Sequence, residues 1–81
     1  MRRVAVLGAA AVDSAVVDDV DEVIVLDPSP AALLELLARV RDARYAFLLG
    51  ELPVLPLPDA WVDDVVGAEG GGDPELARIR R

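Results

Sequence analysis

The chain has 81 residues, of which 54% are hydrophobic, and carries 15 acids against 8 bases for a net charge of −7. That length makes one domain with a modest core, and the apolar fraction exceeds what such a core absorbs, so some apolar surface is left for a partner. The acidity argues against nucleic-acid backbones and anionic membranes as partners. No apolar run approaches the roughly 18 residues of a membrane span, and no secretory signal is visible. With no cysteine there is no disulfide frame, and the expected location is cytoplasmic.

Missing residue types exclude more than the totals do. His, Cys, Lys, Thr, Asn and Gln are absent from the whole chain. The usual general base, thiol nucleophile, Schiff-base amine and soft metal ligands go with them. Carboxylates, arginines, Ser14, Ser29, Tyr45 and the backbone are left to do chemistry.

Residues 4–7 form a short apolar run ended by Gly8 and are expected to be a first strand. Residues 9–20 carry helical spacing through Val12, Ala15, Val16 and Val20 and predict a short helix packed by small residues. Asp18, Asp19, Asp21 and Glu22 follow as an acidic turn. They lack the alternating spacing and central Gly of a calcium loop, so a solvated turn is expected and no metal site. The basic clusters, Arg2 and Arg3 at one end and Arg78, Arg80 and Arg81 at the other, are expected as solvated tails.

Val23-Ile24-Val25-Leu26-Asp27 is the stretch that organises the rest. Four apolar residues, three of them β-branched, suit a strand covered on both faces. Ser29 is a good N-cap and Pro30 fits the first helical position. A helix over residues 30–42 puts Leu33, Leu34, Leu36, Leu37 and Val40 on one broad side. Residues 44–49 predict a third strand, ended by Gly50. Pro53, Pro56 and Pro58 exclude helix or central strand from residues 51–60. Residues 61–66 predict a fourth strand, residues 67–72 a Gly-rich loop, and Asp73-Pro74 caps a last helix over 75–80. This order implies parallel strands joined by right-handed crossovers and three-layer α/β packing.

Three segments, in order, resemble class I S-adenosylmethionine-dependent methyltransferases. Leu26-Asp27-Pro28-Ser29-Pro30 is similar to the end of that family's second strand. Leu55-Pro56-Leu57-Pro58-Asp59-Ala60-Trp61-Val62-Asp63 is similar to the Leu-Pro-Phe-Pro-Asp-x-x-Phe-Asp segment before its fourth strand, and residues 73–81 resemble the helix before its fifth. The resemblance implies a Rossmann-like half-domain spanning residues 1–81, with a mostly parallel sheet in the order 3-2-1-4. It implies S-adenosylmethionine as the cofactor, held by Gly8 at the first turn, Asp27 on the ribose and Glu51 facing the adenine. For Asp27 the residues alone also allow a solvated acid that helps start the helix, and for Gly8 a plain turn.

Two departures bear on activity. Where the family has an acid and then Gly-x-Gly-x-Gly, this chain has Val6-Leu7-Gly8-Ala9-Ala10-Ala11-Val12. A β-carbon at Ala10 and a branched side chain at Val12 are expected to obstruct the turn, and the carboxylate facing the methionine ammonium is replaced by Val6. Losing that charged hydrogen bond costs roughly 1.5–3 kcal/mol. The chain also stops where the family's fifth strand would begin, which leaves the fourth strand as an edge. Homodimerisation along Trp61 to Val66 is expected to cover it. Trp61 there is expected as an interface or core anchor rather than a stacking platform, and Asp63 with Asp64 is not expected to act as a pair, since adjacent strand residues face opposite ways. The leading expectation is a methyltransferase homologue that has lost catalysis and acts as a small dimeric binding module. An active subunit completed by dimerisation or by a partner chain is the alternative, and a nucleotide-binding half-Rossmann module unrelated to methyl transfer is a third.

Overall fold

The computed structural model describes residues 1–14, 18–67 and 73–81. Its strands are β1 (Arg3–Leu7), β2 (Glu22–Asp27), β3 (Tyr45–Leu49) and β4 (Asp64–Val66), all parallel and in the order β3-β2-β1-β4. A 3-10 helix over Ala9–Ser14 follows β1, helix α1 (Pro30–Arg39) follows β2, and helix α2 (Pro74–Ile79) follows β4. The expected α/β fold and strand order are the observed ones.

Alternation along the two central strands builds both cores. Val4 and Val6 of β1 and Val23 and Val25 of β2 face α1, joining Val20, Leu33 and Leu36. Ala5 of β1 and Ile24 and Leu26 of β2 face the other way, joining Leu55, Leu57, Val62, Leu76 and Ile79. The side-chain period of two turns each apolar run into two buried faces, as a central parallel strand requires.

Both helices start as expected. Ser29 caps α1 by accepting the Ala32 N–H at 3.2 Å, and Asp73 caps α2 by accepting the Glu75 N–H at 2.9 Å. Other expectations need correction. The helix expected over residues 9–20 is a 3-10 helix as far as Ser14, and Ala15 and Val16 lie outside the described residues, as do residues 68–72 of the expected Gly-rich loop. Helix α1 stops at Arg39 because Val40 turns extended and Asp42 takes the Arg44 N–H and guanidinium, a local bond that competes with helix. Leu34 and Leu37, expected on the buried side, are 66% and 54% exposed: Leu33 and Leu36 face the sheet, and α1 overhangs its edge. The fourth strand is shorter than expected. Val62 instead donates to the Ile79 carbonyl and accepts from the Arg81 N–H, so Arg80 runs parallel beside it.

The face opposite α1 has little helix to cover it. Residues 51–60 lie there as a proline-rich loop, turning at a cis Leu52–Pro53 peptide, and α2 clamps that loop. Glu75 Oε2 accepts the Leu55 N–H at 2.6 Å, and the Arg78 guanidinium donates to the Leu55 carbonyl, to Asp59 and back to Glu75. Arg78 is thus structural rather than a solvated tail. So is Arg3, whose guanidinium lies 4.0 Å above the Trp61 ring.

Arg78 above all, and then the Leu55 N–H, hold the Glu75 carboxyl at about 2, against an ordinary 4.5. Because the folded-state value is the lower one, Glu75 supports the fold fully above pH 4.5, and its contribution is lost as pH falls towards 2. The Glu75→Gln variant is expected to melt below wild type at pH 7, with the gap closing as pH approaches 2. Thermal melts across that range check it.

Gly67, directly after β4, has φ +85°, and a β-carbon there would lie 2.5 Å from the Leu7 carbonyl oxygen and 2.7 Å from Ala11 Cβ. Gly8 has φ +92°, yet a β-carbon would meet nothing within 4 Å. Gly8→Ala therefore bears only the left-handed penalty, about 1–2 kcal/mol. Gly67→Ala adds a backbone clash and is expected to cost clearly more in urea unfolding.

Candidate functional site

All four strands end on the same side of the sheet, and a cavity of about 430 Å³ opens there. Leu7 and Gly8 reach it from β1, Leu26 and Pro28 from β2, Gly50 and Glu51 from the end of β3, and Gly67 from β4, while Leu52 and Leu55 close it from the proline-rich loop. Open parallel sheets bind ligands at this place, where strands end and crossovers diverge. The walls are mainly apolar, and Glu51, itself exposed, is the sole titratable side chain among the described lining residues.

Gly8 makes the opening possible. Its N–H donates to the Leu26 carbonyl at 2.7 Å and its carbonyl accepts the Ala11 N–H at 3.0 Å, which turns the chain sharply out of β1 into the 3-10 helix. The left-handed φ suits glycine, and the missing side chain keeps that wall open.

Asp27 is placed differently from Gly8 and Glu51. It is the last residue of β2 and half buried; its Oδ2 accepts the Ala9 N–H at 2.8 Å and its Oδ1 the Ser29 N–H at 2.8 Å. One carboxylate thus ties the turn after β1 to the start of α1. It helps start the helix, as one expectation had it, and it also fixes the wall that carries Gly8. Each carboxylate oxygen accepts up to two hydrogen bonds, so each keeps capacity for a further donor. The structure brings Gly8 and Glu51 onto one cavity; Asp27 stands behind the wall and does not line it.

The obstruction expected from Ala10 and Val12 does not fall in this cavity. Val12 packs into the α1-side core, and Ala10 lies at a separate small hollow beside Ala32, Glu35 and Arg39. Val6, which stands where the resemblance implies an acid, is fully buried on the α1 face of β1. Trp61 packs against the opposite core with Arg3 over its ring. Asp63 accepts the Arg3 N–H at 2.8 Å, and chiefly that bond, with the Arg81 charge, holds its carboxyl below the ordinary range. Asp64 accepts the Val65 N–H at 2.9 Å, so the two acids do separate jobs. Asp21 of the acidic turn accepts the Arg2 N–H at 2.7 Å. Among the described residues no three acids converge on a point that could hold a metal ion, and no helix is long and apolar enough to cross a membrane.

Sequence reasoning missed Gly67, which lines the cavity, and Glu75, which fixes Leu55 in its wall. The Glu-x-x-Arg spacing of residues 75 and 78 signals a helical ion pair; its grip on a loop 20 residues away has no local signature.

No known protein family matches the chain, and no curated protein matches it. Among solved structures the chain is similar to one chain of the complex between the Haloferax volcanii Trm112 methyltransferase activator and a protein assigned as a methyltransferase. The two superpose with a TM-score of 0.68 and 28% identity over 79% of this chain, which spans only 30% of the solved one. The fold is therefore Rossmann-like α/β, with a methyltransferase-related structure among those it resembles.

Proposed function

We propose that the chain is a methyltransferase-like binding module that takes an adenosine-containing ligand, of the S-adenosylmethionine class, at the carboxyl ends of its strands and has lost catalysis. The cavity carrying both Gly8 and Glu51 is the observation that supports this reading. Its volume of about 430 Å³ is within the usual range for small-molecule sites. The lining fits the adenosine end of such a ligand, with apolar walls for a flat base and the Glu51 carboxylate for its amino group. It does not fit the amino-acid end, because Val6 is apolar, fully buried and turned into the core. An acidic rim on a chain of net charge −7 also disfavours polyphosphates.

A second reading, an active methyltransferase subunit completed by dimerisation or by a partner chain, has one observation in its favour. The similar solved chain is much longer than this one and is found with an activator protein. In that case the partner would supply what the amino-acid end of the ligand lacks here.

Calorimetric titration with adenosine, S-adenosylhomocysteine and S-adenosylmethionine separates the readings. The module is expected to bind all three weakly and with similar affinity, since the tail finds no charged partner. Glu51→Ala is expected to weaken each by about ten-fold, the loss of roughly 1.4 kcal/mol from one charged hydrogen bond, with an unchanged melting temperature. S-adenosylhomocysteine bound about 100-fold tighter than adenosine would favour the active subunit, and no heat with any of them at millimolar concentration would end the proposal.

Asp27→Asn serves as the structural control. Its amide nitrogen would face a backbone N–H, donor against donor, at Ala9 or Ser29. Thermal melts are expected to show a loss of about 1–3 kcal/mol, in contrast to Glu51→Ala.

A further inference from the structure

The two edges of the sheet are treated differently. On β4, Arg80 already pairs with Val62, and the outward backbone left over belongs to Asp64 and Val66. β3 closes the other side of the sheet, and no strand lies beyond it among the described residues. Two hydrogen bonds set its phase: the Val23 N–H donates to the Arg44 carbonyl, and the Gly50 N–H donates to the Asp27 carbonyl. Alternate residues of a strand send both backbone groups to the same side. Ala46 and Leu48 therefore bond β2, while Phe47, Leu49 and the Tyr45 carbonyl face outward; the Tyr45 N–H donates to the Asp42 carbonyl at 3.2 Å.

Apolar side chains follow the same edge. Leu34 and Leu37 of α1 and Leu49 of β3, the last 57% exposed, line a trough of about 310 Å³ with Phe47 at its base. Large leucines beside an open strand edge make an uncovered interface for a soluble chain.

We propose that this edge docks a second copy of the same chain, β3 pairing antiparallel with β3 about a two-fold axis through Phe47. The outward residues are self-complementary about that axis. Tyr45 stands opposite the partner's Leu49 and Phe47 opposite the partner's Phe47; because the Tyr45 N–H is already given to the Asp42 carbonyl, the three pairs close four backbone hydrogen bonds. The same axis lays α1 along its copy, so that Leu34 and Leu37 cover each other. Charge agrees as well. Arg41 lies before the start of β3 and Glu51 beyond its end, so the two-fold sets an acid of one copy towards the basic end of the other. Asp42 nearby is already bound by the Arg44 guanidinium. One strand pair and one helix pair make an interface near the small end of the specific class, about 1,200 Å² in total. A dissociation constant in the micromolar range is expected, and the dimer is tested without any ligand.

Because the chain has no cysteine, introduced thiols report contacts between copies directly. In the proposed register Ala46 and the partner's Leu48 form a non-hydrogen-bonded pair, with Cα atoms about 4.5 Å apart, inside the disulfide range of about 4.4–6.8 Å. Mixing the exposed single variants Ala46→Cys and Leu48→Cys under mild oxidation is expected to give the mixed disulfide about ten-fold over either homodimer. Sedimentation equilibrium is expected to show a dimer for wild type. The Leu34→Glu/Leu37→Glu variant, changed only at exposed positions, is expected to be monomeric with an unaltered circular dichroism spectrum and melt. A wild-type chain that stays monomeric at about 0.1 mM, roughly a hundred times a dissociation constant of about 1 µM, overturns the proposal. So does a dimer untouched by the double Glu variant, a mixed disulfide no more abundant than the homodimers, or a monomer that associates only with a different protein.

Discussion

Leu55 has its N–H and its carbonyl held by the side chains of one short helix, and half of the molecule depends on that grip. A loop laid over a sheet must find partners for its backbone without the ladder that a helix supplies. Here Pro53, Pro56 and Pro58 have no N–H to satisfy. Of the remaining donors, Val54 reaches Glu51, Leu57 reaches Leu55, Ala60 reaches Arg78, and Leu55 reaches Glu75. The loop can therefore bury Leu55 and Leu57 against Ile24 and Leu26 and serve as a helix would. Pulling Glu75 away would leave the Leu55 N–H unpartnered beside a buried core, which costs more than the bond itself is worth.

The cavity follows from that arrangement. A loop held flat against the sheet ends in Leu52 and Leu55 near the strand termini and supplies one wall; the turn after β1 supplies the other. Asp27 keeps the second wall in place by holding Ala9 and Ser29 with one carboxylate. A residue expected as a ligand contact is thus a structural brace behind the wall.

Much of this was legible in the sequence, for physical reasons. Short β-branched runs ended by glycine or an acid are strands whatever surrounds them, and Ser29-Pro30 and Asp73-Pro74 start helices through bonds made within three residues. What was not legible depends on position in the sheet. The leucines of α1 look alike in the sequence, but Leu33 and Leu36 meet β-strand while Leu34 and Leu37 overhang β3, because no strand lies beyond it among the described residues. Val62 looks like the interior of a strand, yet its outward groups bond Ile79 and Arg81, on either side of Arg80, a partner 18 residues further on. Val12 looks like an obstruction of a glycine turn, but the 3-10 geometry of Ala9–Ser14 carries its side chain into the core instead.

The chemistry left to the cavity is narrow, and that narrows its role. Among the described residues, the lining side chains are aliphatic except for Glu51, an exposed carboxylate with no base, nucleophile or cation beside it in that lining. Proton transfer to a tightly held substrate needs a group whose ionisation is tuned by burial or by a neighbour, and the carboxyls most clearly displaced here, Glu75, Asp63 and Asp42, all serve backbone and arginine partners away from the cavity. In this fold the strongest electrostatics hold the scaffold together. What remains for the site is shape, apolar contact and one polar contact. Contacts of that kind discriminate between molecules by shape and by a single polar group.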